Sequence, residues 1–150
     1  MRNLFDATTA EDVKKRIAQL KPDTARVWGT MYPAQMLAHC SQAIEMAVGD
    51  RNPPRMFVGR VLGPMVKRMA IGNEDPLRRN TPTAKDLLVQ GDRDLETERP
   101  RLIGLIGRFS SAGPAGCTTH PHTFFGRMTP QEWATLMYKH TDHHLRQFGV

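Results

Sequence analysis

Apolar positions recur along this chain at helical spacing rather than in strand alternation. Near the C-terminus Trp133, Met137, His140, His144 and Phe148 step by 4, 3, 4 and 4, or end at Gln147 with a step of 3, drawing one stripe down one side of a helix. Its start is marked by Thr129-Pro130-Gln131-Glu132, a capping box with proline at the first helical position, so a helix is predicted from Thr129 to Phe148. A second stripe, Met36, Ala43 and Met46 with His39 filling the fourth place, predicts a helix from Pro33 to Val48, stopped by Gly49-Asp50. Thr8-Thr9-Ala10-Glu11 reads as another capping box, and Val13, Ile17 and Leu20 then predict a first helix from about Thr9 to Leu20, ended by Lys21-Pro22-Asp23. Leu95, Leu102, Leu105, Ile106 and Phe109 mark a further core helix that ends by Ser110-Ser111-Ala112-Gly113-Pro114, with Pro100 expected to kink it or shift its start.

Between the second helix and the one around Leu102 lies a long connection opened by Asn52-Pro53-Pro54. The run Met56 to Met69 predicts a helix interrupted near Pro64, and Asn80-Thr81-Pro82-Thr83 marks a loop. Alternating Val/Ile/Thr runs and Asn-Gly hairpin signals are missing. Three main helices plus the N-terminal one, with a crossover between the second and third, predict an all-α four-helix bundle filling residues 1–150 as a single domain.

Composition narrows the setting. A chain of 150 residues buries an adequate core without staples, so a bound metal would be functional rather than a requirement for folding. Only Cys40 and Cys117 are present, one in a helix and one in a Gly/Pro loop, which is no disulfide framework and points to a reducing, cytoplasmic setting. No window approaches 18 consecutive apolar residues and Met1-Arg2-Asn3-Leu4-Phe5-Asp6 has no apolar signal region, so neither secretion nor a membrane partner is expected. The net charge is +6, with the excess concentrated in Arg51, Arg55, Arg60, Lys67, Arg68, Arg78, Arg79 and Lys85. Phe57 is the sole aromatic in that stretch, so base stacking has little to work with and a solvated basic face is the expected reading rather than nucleic-acid binding.

Histidines carry the chemistry. His140 and His144 stand one turn apart on a helix, and the i and i+4 side chains of a turn come within roughly 6 Å, so both imidazoles can meet one ion. His39 points inward from a second helix. A neutral ring has one donor and one acceptor to satisfy, and three such rings on two core stripes are best satisfied together by a shared cation, with the outer nitrogens donating to nearby oxygens. Chance HxxxH spacing and packed core histidines are the competing account. His143 also shares a face with His140, but the stripe favours His144 and sends His143 to the flank, as a supporting donor or surface residue. Gln147, one turn on, can contact bound water; Asp142 lies on the opposite side of the wheel from both ring positions. Cys40 follows His39 by about 100° and reads as a small buried hydrophobe that reaches at most the edge of the site. In Thr119-His120-Pro121-His122 a loop precedes the last helix, with His122 as a candidate cover or substrate contact. The nine methionines, Met31, Met36, Met46, Met65, Met69, Met128 and Met137 among them, read as core filling.

With these residues in place, the chain resembles the DinB-like superfamily of metalloenzymes, which takes in YfiT-type proteins and bacillithiol transferases. Met36-Leu37-Ala38-His39-Cys40 is similar to its helix-two ligand segment, and His140-Thr141-Asp142-His143-His144-Leu145-Arg146-Gln147 to its helix-four signature. A branch marked by Asn3-Leu4-Phe5-Asp6, by Phe124-Phe125-Gly126 ahead of Thr129-Pro130-Gln131-Glu132-Trp133, and by the ending His144-Leu145-Arg146-Gln147-Phe148-Gly149 is the nearest likeness. The resemblance implies a four-helix bundle with the long crossover and a divalent ion, zinc or nickel first, held by His39, His140 and His144. It also implies a small-molecule or thiol substrate, thiol transfer ahead of hydrolysis, and a homodimer. Arg146 replaces the glycine usual in the superfamily's ending, and no residue stands out as a general base. A non-catalytic small-ligand or stress-response binding module is the competing function.

Overall fold

A computed structural model describes residues 1–82 and 85–150. Among the described residues there are five α-helices and no β-strand: α1 Ala7–Ala18, α2 Pro33–Val48, α3 Phe57–Ile71, α4 Leu95–Ala112 and α5 Pro130–Gln147, with short 3-10 turns at Lys85–Leu87 and Gly113–Gly116. The all-α expectation holds in that form. Thr83, the last residue of the loop predicted at Asn80-Thr81-Pro82-Thr83, lies outside the described residues.

α2 lies against both α4 and α5, and α1 touches the same two helices from the other side. Burial follows from the stripes: Val13 and Ile17 of α1, Met36, Leu37 and Ile44 of α2, Leu102, Ile106 and Phe109 of α4, and Trp133, Met137 and Leu145 of α5 form one continuous core. Leu4 enters it too, with its N–H donating to the Ala134 carbonyl at 3.2 Å.

Local chemistry set the helix ends as read for α2 and α5. Pro33 opens α2, and Gly49 closes it at φ 86°, a left-handed conformation that glycine adopts without steric cost. Thr129 accepts from the Glu132 N–H at 3.2 Å while Glu132 accepts from the Thr129 N–H at 2.7 Å, so the capping box of α5 is made in both directions. α1 begins two residues earlier than predicted. Its cap is Asp6, whose carboxylate takes the Thr9 N–H at 2.6 Å, and Thr8 sits inside the helix. α4 runs straight through Pro100 from an Asp94 cap, so the proline does not move its start.

The largest departure is α3. It is one uninterrupted helix through Pro64, whose ring is exposed. Its inner side is made of Gly59 and Gly63, pressed against the backbone of the loop before α5: a Cβ on either would lie 2.5 or 2.2 Å from the Phe124 carbonyl oxygen. Gly63→Ala therefore tests the docking. A free helix would gain roughly 1 kcal/mol from that change, whereas here the clash with backbone is expected to cost about 1–3 kcal/mol net, read from urea denaturation. Met65 and Met69 of this helix are exposed, against the expectation that they fill the core.

Candidate metal centre

α2 and α5 bring His39, His140 and His144 together. Ring centroids stand 4.8 Å apart for His39 and His140, 4.7 Å for His39 and His144, and 4.8 Å for His140 and His144, a nearly equilateral triangle. One ligand nitrogen from each ring falls within 4.8 Å of the others. His39 is buried and the other two are half-buried, so the triangle sits at the edge of the core.

Proton positions follow from the neighbours. Nδ1 of His39 is 2.9 Å from the Leu87 carbonyl, which can only accept, so Nδ1 carries the hydrogen and Nε2 presents a lone pair. Nδ1 of His144 is 3.0 Å from Oε1 of Gln147, and the same amide donates its Nε2 hydrogen to the Trp28 carbonyl at 2.8 Å. That fixes Oε1 as the acceptor, and His144 likewise turns an Nε2 lone pair inward. Nε2 of His140 lies 2.9 Å from Nε2 of His39, and its buried Nδ1 has no hydrogen-bond partner among the described residues. Two imidazole nitrogens at that separation need either a proton or a cation between them. On one tetrahedral ion of zinc's size they would stand roughly 3.3 Å apart, so the pair needs to open by only a few tenths of an ångström.

Electrostatics keeps the rings neutral. Burial lowers the His144 pKa to about 3, with the His39 ring adding to the effect. Burial also lowers His39, partly offset by the Leu87 carbonyl, and holds His140 well below the ordinary imidazole range. Neutral imidazole is the ligand form, so the triad is ready for a cation at neutral pH. Among the described residues no carboxylate joins the three rings. Asp142 is held by Arg16 at 2.8 Å and by Arg146 at 2.7 Å. Cys40 is fully buried, its thiol pushed up by burial and turned toward the sulfur of Met36 at 3.7 Å. An all-nitrogen donor set suits zinc, nickel, copper or iron and disfavours calcium and magnesium.

The other candidates fall outside the triangle. His143 packs edge-on to Trp28 at 5.7 Å and bonds the Leu77 backbone, while Arg79 lies 4.0 Å over the same indole. His122 folds its own loop: Nδ1 accepts from the N–H groups of Phe124 and Phe125, both at 3.1 Å, and the ring stacks on Phe125. Burial lowers its pKa to about 4. A cavity of about 180 Å³ lined by Arg2, Asn73, Tyr138, Lys139, Asp142 and Arg146 includes none of the three histidines.

Periodicity gave no hint of Leu87, Trp28 or Gly29. Gly29 has φ +80°, and a Cβ there would lie 2.0 Å from Nε2 of Gln147, so only glycine lets the loop close over that amide. The one signal was Trp28-Gly29 standing inside a polar loop. Gln147 is the link between this loop and His144. Gln147→Ala is expected to weaken metal binding roughly 10- to 100-fold by freeing the His144 ring, as measured by competition with a chromophoric chelator.

Residues 2–149 match the family model described as Protein of unknown function (DUF1569), and the chain belongs to that family. No curated protein and no solved structure matches it.

Proposed function

We propose that this member of the DUF1569 family binds one divalent metal ion, zinc or nickel first, through His39, His140 and His144, and uses it on a small-molecule or thiol substrate. The observation that carries the reading is the pairing of inward Nε2 lone pairs with outward Nδ1 hydrogens already claimed by Leu87 and Gln147. Metal-ligating histidines are held in that way in general. Such an ion, when bound, would leave positions open to water or a thiol and lower the pKa of what it holds. The chain's own residues orient the rings and keep them unprotonated.

Within this reading the packing of α1, α2, α4 and α5 is that of a DinB-like four-helix bundle, with α3 in the crossover between the second and third core helices. Thiol transfer ranks ahead of hydrolysis, in a cytoplasmic setting. Among the described residues no helix is long and apolar enough to cross a membrane. The second reading is a non-catalytic binding module for a small ligand or stress response, and metal removal separates the two. A catalytic ion in a self-sufficient core leaves the fold intact when chelated, whereas a structural ion takes tens of degrees of thermal stability with it.

The direct test is anomalous X-ray scattering at the zinc, nickel, copper and iron edges on a crystal grown without added metal. An ion bonded to the three ring nitrogens is the expected result. Well under one metal equivalent per chain, with no anomalous peak at the triad after soaking, would sink the proposal.

A further inference from the structure

The outer face of α3 is the reverse of an ordinary surface helix. Phe57, Val58, Val61, Leu62, Met65 and Met69 are all exposed, Phe57 at 82%, Val61 at 70% and Met69 at 68%, and they share one side of the helix. The small residues Gly59 and Gly63 face inward against Phe124, and no described residue of this chain covers the large apolar side chains. At these exposures the six side chains present roughly 700 Å², above the ~300–600 Å² of the largest apolar patch on a typical monomer and close to the ~800 Å² that each partner brings to a standard interface.

The stripe is also self-complementary. Phe57, Val61, Met65 and Met69 recur every four residues and lie symmetrically about Gly63. Two such helices packed antiparallel would set Phe57 against Met69 of the second copy and Val61 against Met65, the two ends of the stripe meeting as an aromatic–thioether pair. A two-fold interface requires that property, because one patch must serve both sides. From position 51 to 73 the chain has five basic residues and no acidic one, which argues against a basic partner. Self-pairing tolerates the charges: Lys67 is already matched by Glu132 at 2.8 Å, the two Arg68 residues of an antiparallel pair would be ~15 Å apart along the axis, beyond the ~8 Å over which exposed charges act at physiological salt, and Arg60, near the level of Arg68 of the second copy, projects about 140° around the wheel from the middle of the stripe, away from the second helix.

The geometry points to the outer face of α3 as the docking surface for a second copy of this chain, paired antiparallel about Gly63. Light scattering on the purified full chain across the micromolar range is expected to give twice 16.9 kDa. Val61→Glu/Met65→Glu should return the mass to that of a single chain with helical circular dichroism unchanged, since both side chains are exposed. Phe57→Cys/Met69→Cys should form an oxidised dimer, because the two positions are ~18 Å apart within one helix and adjacent only across the pair. A wild-type chain that stays monomeric throughout, or a double glutamate variant of the same doubled mass, would overturn the assignment. So would a monomer that sediments with phosphatidylglycerol-containing vesicles and loses that behaviour in the glutamate variant, which would give the face to an anionic lipid surface instead.

Discussion

His144→Ala is expected to lower metal affinity by at least about a hundredfold, more than the loss of a supporting hydrogen bond would, while leaving the bundle folded. The ring is half-buried at the end of α5, and the residues that hold the last turn do not depend on it: Gln147 keeps its bond to the Trp28 carbonyl, and the Val27 N–H donates to the Gln147 carbonyl at 2.7 Å. Two imidazoles would remain. His39 and His140 would still face each other at 2.9 Å, but the third donor that completes the triangle would be gone. Metal content after exhaustive dialysis and chelator competition on the same preparations check this, and unchanged stoichiometry in the variant would remove His144 from the site. His143→Ala is the comparison, expected to keep one metal equivalent with a far smaller loss of affinity, because its ring packs on Trp28 and edge-on to His144 at 5.1 Å but is not one of the three grouped donors.

What could be read from the sequence, and what could not, divides along physical lines. α2 and α5 were legible because their ends are set by residues within a few positions of each other: Pro33 and Gly49 for one, Thr129, Pro130 and Glu132 for the other. α1 was misread at its start because Asp6 and Thr8 are both good caps. Glu11, which would close a box with Thr8, instead pairs with Lys14 at 2.8 Å. α3 was misread because Pro64 and the glycines look like breakers in one dimension. In three dimensions the glycines are what let the helix lie against the Phe124 carbonyl, and the proline ring faces outward.

The same division holds at the candidate metal centre. His39, His140 and His144 carry their signal in side chains that interrupt apolar stripes, so stripe periodicity alone favoured His144 over His143, and the structure groups that same triad. The atoms that set their tautomers are the backbone carbonyls of Leu87 and Trp28. A carbonyl has no residue-type signature, and one arrives from a short 3-10 turn and the other from a loop, both far along the chain, so only the folded arrangement reveals them. Trp28, Gly29 and Gln147 form one device: the loop is closed over the amide, the amide orients the imidazole, and a substitution at Gly29 would act on the His144 ring through Gln147.

Acid is expected to unfold the metal-free protein across a window that opens near pH 6.5 and extends toward pH 3, and a bound divalent ion is expected to shift that transition downward. The sign follows from the direction of the shifts. His144 is lowered to about 3, His122 to about 4, and His39 and His140 are lowered as well, in each case mainly by burial. Above ~6.5 neither folded nor unfolded imidazoles bind protons and these groups make no difference to stability. Below that the unfolded chain takes up protons that the folded chain refuses, so stability falls with pH until each folded pKa is reached. For His144 alone the loss accumulates to roughly 4–5 kcal/mol by pH 3, a large part of the ~5–15 kcal/mol that holds a domain together. The lowered carboxylates Asp6, Glu11, Asp94 and Glu132 contribute only near and below their own range, so a transition already under way at pH 5 belongs to the histidines. His144→Ala should move the metal-free acid midpoint to lower pH by removing one such group, and should abolish the protection that zinc or nickel gives the parent chain. Circular dichroism at 222 nm from pH 7 to 3, with chelator and with metal, reads both effects. A metal-free chain whose stability stays flat down to pH 4.5 would show that the three rings are not held neutral by burial.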